Sequence, residues 1–145
     1  MSIFISIDPG KSKCGLILAD VKSRKVIEAG ISSLTRLNDI VSLWNDQYKI
    51  SKVLIGDGTN SEYIGDQLKQ INTLDLNYVN EKGSTLRARF RYWENWPPNL
   101  FFRWLPKELL FPPENLDAVV ALILLEEFMK FNLIWPDKLD IKTWL

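Results

Sequence analysis

Two apolar segments near the N-terminus are joined by a link that is too short for a parallel crossover. The first segment, residues 3–7, ends at Asp8, which a proline and a glycine follow. Proline fixes φ and glycine permits positive φ, so this pair predicts a tight turn. The second apolar segment, residues 14–19, begins almost at once. We therefore predict antiparallel strands over 2–8 and 14–20, with a carboxylate where the first strand ends.

The rest of the chain alternates between strand and helix periodicities. Residues 26–31 form a third apolar strand after a polar turn, so the first three strands make an antiparallel meander. The sequence then predicts two more strands, one from Lys52 that ends at Asp57 and one over 74–79. Helices are predicted before, between and after these strands, over about 34–48, from Ser61 to about residue 71, from Leu86 to about Trp93 and from about residue 113. Residues 118–125 contain no polar side chain, which predicts that the last helix is buried. This order indicates a single α/β domain over 1–145, with helices on both faces of a mixed five-stranded sheet in which two parallel strands follow the antiparallel meander.

The residue composition excludes several classes of protein. With 145 residues, of which 46% are hydrophobic and 25% charged, the chain has the composition expected of one soluble globular domain. No apolar stretch has membrane-spanning length and no basic segment leads into a signal-type core, so we expect no membrane association. The lone cysteine, Cys14, allows no internal disulfide, and a cytoplasmic location is expected. The chain has no histidine, which excludes histidine-dependent catalytic triads and histidine-ligated zinc.

Positive charge is concentrated in one part of a chain whose formal net charge is zero. Residues 82–107 contain six lysine or arginine residues and one glutamate, and six minus one gives a local charge of +5. Such a segment is compatible with local phosphate binding, although the neutral net charge argues against a strongly basic nucleic-acid binder.

Residues 92–113 are rich in tryptophan and proline, which predicts an irregular excursion with a short helix near 100–109. Three interpretations of this stretch stay open. Its aromatic side chains interleave with Arg91 and Arg103 and can stack on unpaired bases. They can also form a surface for a homodimer or another partner, or a small satellite core under a long loop.

Four carboxylates are predicted at the ends of elements that share one edge of the sheet. Asp8, Asp57 and Glu81 each follow a strand, and Asp117 begins the buried helix. Clustered carboxylates repel one another and lose solvation, unless a divalent cation neutralises them. Mg²⁺ or Mn²⁺ prefers oxygen ligands, and a pair of such ions can activate water in phosphodiester cleavage. Each acid also has a structural interpretation: a turn cap for Asp8, a loop for Asp57, a surface ion pair for Glu81 and a helix-dipole contact for Asp117.

Three sequence segments occur in an order that is found in a known family. They are Ile7-Asp8-Pro9-Gly10 followed by Gly15-Leu16 and Ala19-Asp20, then Val79-Asn80-Glu81-Lys82-Gly83-Ser84-Thr85 with Ala88, and finally Leu116-Asp117-Ala118 with Ala121 and Leu124-Leu125. These segments resemble the YqgF-type proteins and their relatives, the RuvC-type Holliday-junction resolvases. Because the total length also matches, the resemblance covers most of the chain.

The resemblance implies an RNase H-like fold and a metal-dependent nuclease that acts on structured RNA or DNA, either resolvase-like or in the processing of ribosomal RNA precursors. Asp8, Glu81 and Asp117 are the acids within the three matching segments, and the resemblance implies that they are catalytic and bind Mg²⁺ or Mn²⁺. Asp57 is expected as an additional or replacement metal ligand. The residues expected to contact the nucleic acid are Lys11, Lys13, Ser84, Thr85, Arg87, Arg89 and Arg91.

Two other functions are compatible with the sequence. A non-catalytic RNase H-like module that binds nucleic acid or a protein partner is favoured by the neutral net charge, and by Gly56-Asp57-Gly58-Thr59 in place of the family's usual loop. A phosphate-binding fragment of an actin-like kinase opens with a similar hairpin, but that architecture needs two such domains and the chain supplies one.

Overall fold

The computed structural model describes residues 1–97 and 116–145. The strands within these ranges are β1 (Ile3–Pro9), β2 (Lys13–Asp20), β3 (Lys25–Ser33), β4 (Lys52–Gly56), β5 (Leu76–Val79) and β6 (Ile141–Trp144). The helices within them are α1 (Leu37–Tyr48), α2 (Ser61–Leu68), α3 (Ser84–Asn95) and α4 (Leu116–Met129).

The strands of the described residues form one mixed sheet in the order β5-β4-β1-β2-β3-β6. β1, β2 and β3 pair antiparallel, as their short links require, and Asp8 lies opposite Gly15. β4 pairs parallel to β1 and β5 pairs parallel to β4, so the predicted meander and parallel strands are confirmed. The predicted number of five strands is wrong, because β6 pairs parallel to β3 at the far edge. Residues 134–145 mix polar and apolar side chains without strand periodicity, which is why β6 was not predicted.

Helices cover both faces of the sheet, as predicted, because successive side chains of a strand point to opposite faces. On one face, Ile3, Ile5 and Ile7 of β1 pack with buried side chains of α1 and α2. On the other face, Ile17 and Leu54 pack with buried side chains of α4. α3 packs against a different side of α4 and so forms the outer layer on this face.

α4 is buried between the sheet and α3, as the absence of polar side chains in 118–125 predicts. All eight residues of this stretch are buried. The Ser6 hydroxyl donates to the carbonyl of Ala121 at 2.6 Å and fixes the helix over β1. A Cβ atom at Gly15 would overlap the carbonyl of Asp117, so this glycine permits the close approach of α4. The first turn of α4 therefore lies directly over the β1–β2 hairpin.

The predicted irregular excursion over 92–113 is described only in its first residues. α3 begins at Ser84 and continues to Asn95, so the start of this stretch is helical rather than irregular. The predicted short helix near 100–109 lies outside the described residues. None of the helices in the two described ranges is long and apolar enough to span a membrane.

Candidate active site

Three acids lie where neighbouring parallel strands end. The carboxyl ends of β1, β4 and β5 form one edge of the sheet, which we call the carboxyl edge. Asp8 lies near the end of β1, Asp57 directly follows β4, and Glu81 comes shortly after β5. The backbone amide of Asp57 donates to the carbonyl of Val79 at 2.9 Å, so strand pairing continues up to the acids.

Asp117 reaches the carboxyl edge from α4. Ser6 and Asp8 are two residues apart in β1, so their side chains lie on the same face of the strand. This is the face that α4 covers, because Ser6 contacts Ala121. Asp117 lies about one helical turn before Ala121, which brings the start of α4 over Asp8. Gly15, opposite Asp8 in the sheet, has no side chain and leaves room for the Asp117 carbonyl. Asp117 itself is exposed, and its charge acts on Asp8.

Two glycines form a cradle around the carboxylate of Glu81. A Cβ atom added at Gly56 or at Gly58 would overlap the carboxylate oxygens of Glu81. The backbone of Gly58 donates a hydrogen bond to this carboxylate. The backbone amide of Glu81 in turn donates to Oδ1 of Asp57 at 3.2 Å. The Gly56-Asp57-Gly58 segment is therefore wrapped around Glu81.

Burial and mutual repulsion favour the protonated form of the Asp8 carboxyl group. Its pKa is raised from 3.8 to about 8, first by burial, then by the charges of Asp117 and Glu81, and by a hydrogen bond to Glu81. Burial, followed by the charge of Asp57, also raises the pKa of Glu81, while hydrogen bonds from Asp8 and Gly58 act in the opposite direction. All four predicted acids therefore interact, directly or through a neighbour.

The contact between Asp8 and Glu81 fits a divalent cation. The Oε2 atom of Glu81 is buried, and when Asp8 is ionised no donor within the described residues reaches it with hydrogen-bonding geometry. A buried carboxylate oxygen without a donor is costly, and a cation removes that cost. The nearby groups are carboxylates, which are the ligands that Mg²⁺ and Mn²⁺ prefer.

The four acids do not form a complete metal site by themselves. Within residues 1–97 and 116–145, no three acidic or cysteine side chains converge closely enough to hold one ion. Asp8 and Glu81 are therefore a pair of candidate ligands, and Asp57 and Asp117 add negative charge around them.

Several of the side chains expected to contact nucleic acid flank the carboxyl edge. Lys11 is exposed on the turn between β1 and β2, and Lys13 is exposed where β2 begins. Thr85 is exposed in the first turn of α3. The edge therefore carries cations and a hydroxyl group beside the carboxylates, an arrangement suited to a phosphate chain that passes over it.

Arg87 and Arg89 are partly exposed on α3. The guanidinium of Arg87 donates to Glu127 at 2.6 Å and to the carbonyl of Lys82 at 2.9 Å. A phosphate group at Arg87 would therefore compete with Glu127 for the same donors.

Arg91 and Ser84 are buried, which argues against their predicted contacts with nucleic acid. Arg91 donates to both carboxylate oxygens of Glu126, at 2.9 and 3.0 Å, and to the carbonyl of Leu133 at 3.0 Å. Helical periodicity places Arg91 on the same side of α3 as Ala88, which packs against α4. Ser84 is only 3% exposed, in the first turn of α3.

Sequence patterns did not single out Asn60, which also lies at the carboxyl edge. Its side-chain amide donates to the carbonyls of Gly10 and Lys11, at 2.8 and 3.0 Å. An asparagine before a helix is an ordinary capping residue, so its sequence position carries no sign of this long-range contact.

Two solved structures have the same fold as this chain. Thermus thermophilus RuvC in complex with a Holliday junction substrate has a TM-score of 0.51 and 14% sequence identity, with 90% of this chain and 96% of that chain covered. A second structure of Thermus thermophilus RuvC has a TM-score of 0.53 and 12% identity, with 88% and 94% covered. The chain has a RuvC-like, RNase H-like fold. No protein-family model matches the sequence, and no curated protein matches it.

The RuvC-like fold confirms the fold that the sequence resemblance implies. At 12–14% identity the likeness establishes the fold alone. The roles of individual residues therefore depend on the geometry and electrostatics of the carboxyl edge.

Proposed function

We propose that the protein is a divalent-metal-dependent nuclease that hydrolyses phosphodiester bonds in structured nucleic acid. The observation that carries this proposal is the contact between Asp8 and Glu81, with Asp117 nearby, at the carboxyl edge of a RuvC-like sheet. A pKa that is raised by burial together with specific neighbouring charges is typical of functional sites. When Asp8 is ionised, the buried Oε2 atom of Glu81 has no donor among the described residues, and a cation beside the two carboxylates would satisfy it.

In this proposal, Asp8 and Glu81 hold Mg²⁺ or Mn²⁺, and Asp57 and Asp117 increase the local negative charge. The ion, when bound, supplies Lewis-acid stabilisation of the charge that develops on the scissile phosphate. Asp8 must lose its proton to act as a ligand, so metal binding and proton release are coupled. Gly58 keeps the space beside Glu81 free of side chains.

The side chains proposed to bind the nucleic acid surround these acids. Lys11 and Lys13 bind phosphates that flank the scissile bond, and their flexible stems suit backbone contacts without base specificity. Thr85 donates a hydrogen bond to a phosphate oxygen, and Arg89 and Arg87 extend the contact along α3.

A four-way DNA junction is the first substrate to test, because one of the RuvC structures contains a Holliday junction. Structured RNA is the competing substrate, since the sequence resemblance to YqgF-type proteins implies processing of ribosomal RNA precursors. Both substrates present bent phosphate backbones to the same set of cations.

A non-catalytic nucleic-acid-binding module is the second candidate function. One observation favours it: within the described ranges, no three acidic side chains converge to hold a single ion. In that case the lysines of the β1–β2 turn and the cations of α3 would bind phosphates, and the carboxylates would only shape the edge.

Cleavage of labelled substrates distinguishes the two functions. A four-way DNA junction and a structured RNA are incubated with the wild type, Asp8→Asn and Glu81→Gln, with Mg²⁺, Mn²⁺ or EDTA. Asp46→Asn, an exposed acid on α1, is the matched control. We expect cleavage by the wild type and the control in either metal, with a loss of at least about a hundredfold in both site variants.

Binding without cleavage supports the module instead. In that outcome, Asp8→Asn and Glu81→Gln bind the junction as tightly as the wild type, and affinity falls with salt concentration. Neither binding nor cleavage of any substrate by the wild type would contradict both functions.

Two further properties belong to this proposal, a homodimer and a cytoplasmic location. A four-way junction has two symmetric strands to cut, which suits two copies of the chain related by a two-fold axis. Light scattering with and without the junction tests the homodimer, and cell fractionation tests the location.

A further inference from the structure

Asn60 bridges two loops at the carboxyl edge that are 50 residues apart in sequence. Its Nδ2 atom donates to the carbonyl of Gly10 at 2.8 Å and to the carbonyl of Lys11 at 3.0 Å. One loop follows β4 and carries Asp57, and the other is the turn between β1 and β2. A single side chain therefore joins the two loops that flank Asp8.

Asn60 makes this contact instead of capping its own helix. It is the residue before α2, where an asparagine side chain ordinarily accepts a hydrogen bond from the first turn. No such bond forms, and the side chain points to the other loop. The backbone has φ 62° and ψ 11°, a left-handed conformation that asparagine and glycine tolerate better than most residues. The position needs both a left-handed backbone and an amide donor, a combination that asparagine provides.

The two carbonyls that Asn60 holds lie on either side of the Lys11 α-carbon. Fixing both peptide groups fixes the direction in which the Lys11 side chain leaves the turn. Lys11 is exposed, and no acid of the described residues forms an ion pair with it, so its ammonium group is available to a phosphate. The turn follows β1, which carries Asp8 near its end, so this lysine lies close to the carboxylates along the chain.

We infer that Asn60 is a positioning residue, which holds the β1–β2 turn so that Lys11 binds a substrate phosphate next to the carboxyl edge. This inference rests on the proposed nuclease function for the identity of the ligand. The contact between Asn60 and the turn does not depend on that function, so the two can be tested separately.

The key variant is Asn60→Gly, because glycine keeps the left-handed backbone and removes only the amide donor. Lys49→Gly is the matched control: Lys49 also has a positive φ, of 55°, and lies after α1 near the opposite ends of the strands. Thermal unfolding of both variants establishes that they are folded.

The first readout is independent of nucleic acid. The amide of Leu34 donates to the carbonyl of Ser12 in the same turn at 3.3 Å, so its hydrogen exchange reports how firmly the turn is held. We expect Asn60→Gly to speed this exchange by about tenfold, the effect of losing a net hydrogen bond or two. Unchanged exchange of the Leu34 amide in Asn60→Gly would overturn the inference.

The second readout is the separation of KM from kcat on the four-way junction. A contact to a flanking phosphate is made equally in the ground and transition states, so its loss raises KM and leaves kcat unchanged. We expect Asn60→Gly and Lys11→Ala each to raise KM by several-fold, and the double variant to be no worse than Lys11→Ala alone. Additive effects of the two substitutions, or an effect on kcat alone, would overturn the inference.

Failure of the proposed function looks different. If the wild type neither cleaves nor binds the junction, the nuclease proposal fails, and the Leu34 exchange still decides whether Asn60 holds the turn. If the wild type cleaves and Asn60→Gly is indistinguishable from Lys49→Gly in both readouts, the nuclease proposal stands and the inference about Asn60 fails.

Discussion

Asp8 and Glu81 are hydrogen-bonded, although β1, which carries Asp8, and β5, which Glu81 follows, are not neighbours in the sheet. β4 lies between β1 and β5, and it ends at Gly56. A Cβ atom at Gly56 would lie 2.5 Å from Oε2 of Glu81 and 3.2 Å from Cδ of Pro9. The missing side chain therefore opens the path along which Glu81 crosses the end of β4 to reach Asp8.

The raised pKa of Asp8 predicts that the metal-free protein becomes less stable as pH rises. The folded protein holds this proton up to a pKa of about 8, whereas the unfolded chain releases it near 3.8. Between these values the folded state binds more protons, so the free energy of unfolding falls with increasing pH. The contribution is fully present below about pH 4 and lost above about pH 8. Asp8 contributes at most about 1.4 kcal/mol per pH unit to the slope of the free energy of unfolding against pH, and thermal unfolding in EDTA measures this slope.

The variant Asp8→Asn tests the origin of this slope. It keeps the shape of the side chain and removes its titration, so we expect a flatter pH profile and a metal-free protein that is more stable than the wild type at pH 8. Asp46→Asn, exposed on α1, should keep the wild-type slope. A wild-type slope in Asp8→Asn would contradict the raised pKa.

Mn²⁺ or Mg²⁺ is predicted to reverse the loss of stability at higher pH. The ion binds the deprotonated carboxylates, so the stabilisation grows as pH approaches about 8 and binding releases protons. At a metal concentration a hundred times Kd, the expected gain is about 2.7 kcal/mol. Calorimetry in two buffers of different ionisation enthalpy measures the protons released.

The control for metal binding uses two glutamates. Glu81→Gln should remove both the stabilisation and the proton release, because it removes one of the two candidate ligands. Glu62→Gln, exposed on α2, should retain both effects. Metal binding that releases no protons at pH 6 would show that Asp8 is not a ligand.

Gly56→Ala is predicted to separate the two carboxyl groups. The added methyl group occupies the space of Oε2 of Glu81, and overpacking of this kind costs about 1–3 kcal/mol. With Glu81 displaced, the pKa of Asp8 falls and the pH dependence of stability weakens. Gly65→Ala is the matched control, because its methyl group meets the hydroxyl of the exposed Tyr78. Gly65→Ala should lower stability without changing its pH dependence. Equal pH profiles of stability for the two variants would contradict the prediction that Glu81 reaches Asp8 across Gly56.

The features that sequence patterns predicted are those that depend on local spacing. Short links between apolar segments leave only an antiparallel meander, and strand-end acids of parallel neighbours share an edge. These two facts predicted the sheet around β1 and the placement of Asp8, Asp57 and Glu81. The stretch 118–125 is uniformly apolar and therefore has no polar face, and this local pattern predicted a buried helix.

The features that were missed depend on contacts between distant parts of the chain. β6 has only four residues and no alternating pattern, and it forms because β3 offers a free edge. Asn60 has the sequence context of a helix cap, and only the folded chain places Gly10 within its reach. Arg91 belongs to a basic segment, and its burial follows from which side of α3 faces α4.

The buried ion pair of Arg91 and Glu126 is predicted to stabilise the packing of α3 on α4. Glu126 accepts from the Leu133 amide at 2.6 Å, and Arg91 donates to the Leu133 carbonyl, so the pair joins α3, α4 and the segment after α4. Removing one member leaves a buried charge without a partner, so Arg91→Ala should lower the free energy of unfolding by about 3–5 kcal/mol. Chemical denaturation measures this loss.

Arg87→Ala is the matched control on the same helix, because Arg87 forms a solvent-exposed ion pair with Glu127. Exposed pairs contribute at most about 1 kcal/mol, so this variant should remain nearly as stable as the wild type.

The effects of the two substitutions on junction binding should be reversed, since Arg87 can reach a phosphate and Arg91 cannot. Under conditions where both variants are folded, only Arg87→Ala should weaken junction binding and reduce its dependence on salt. A weaker salt dependence of junction binding in folded Arg91→Ala would show that Arg91 contacts the nucleic acid despite its burial.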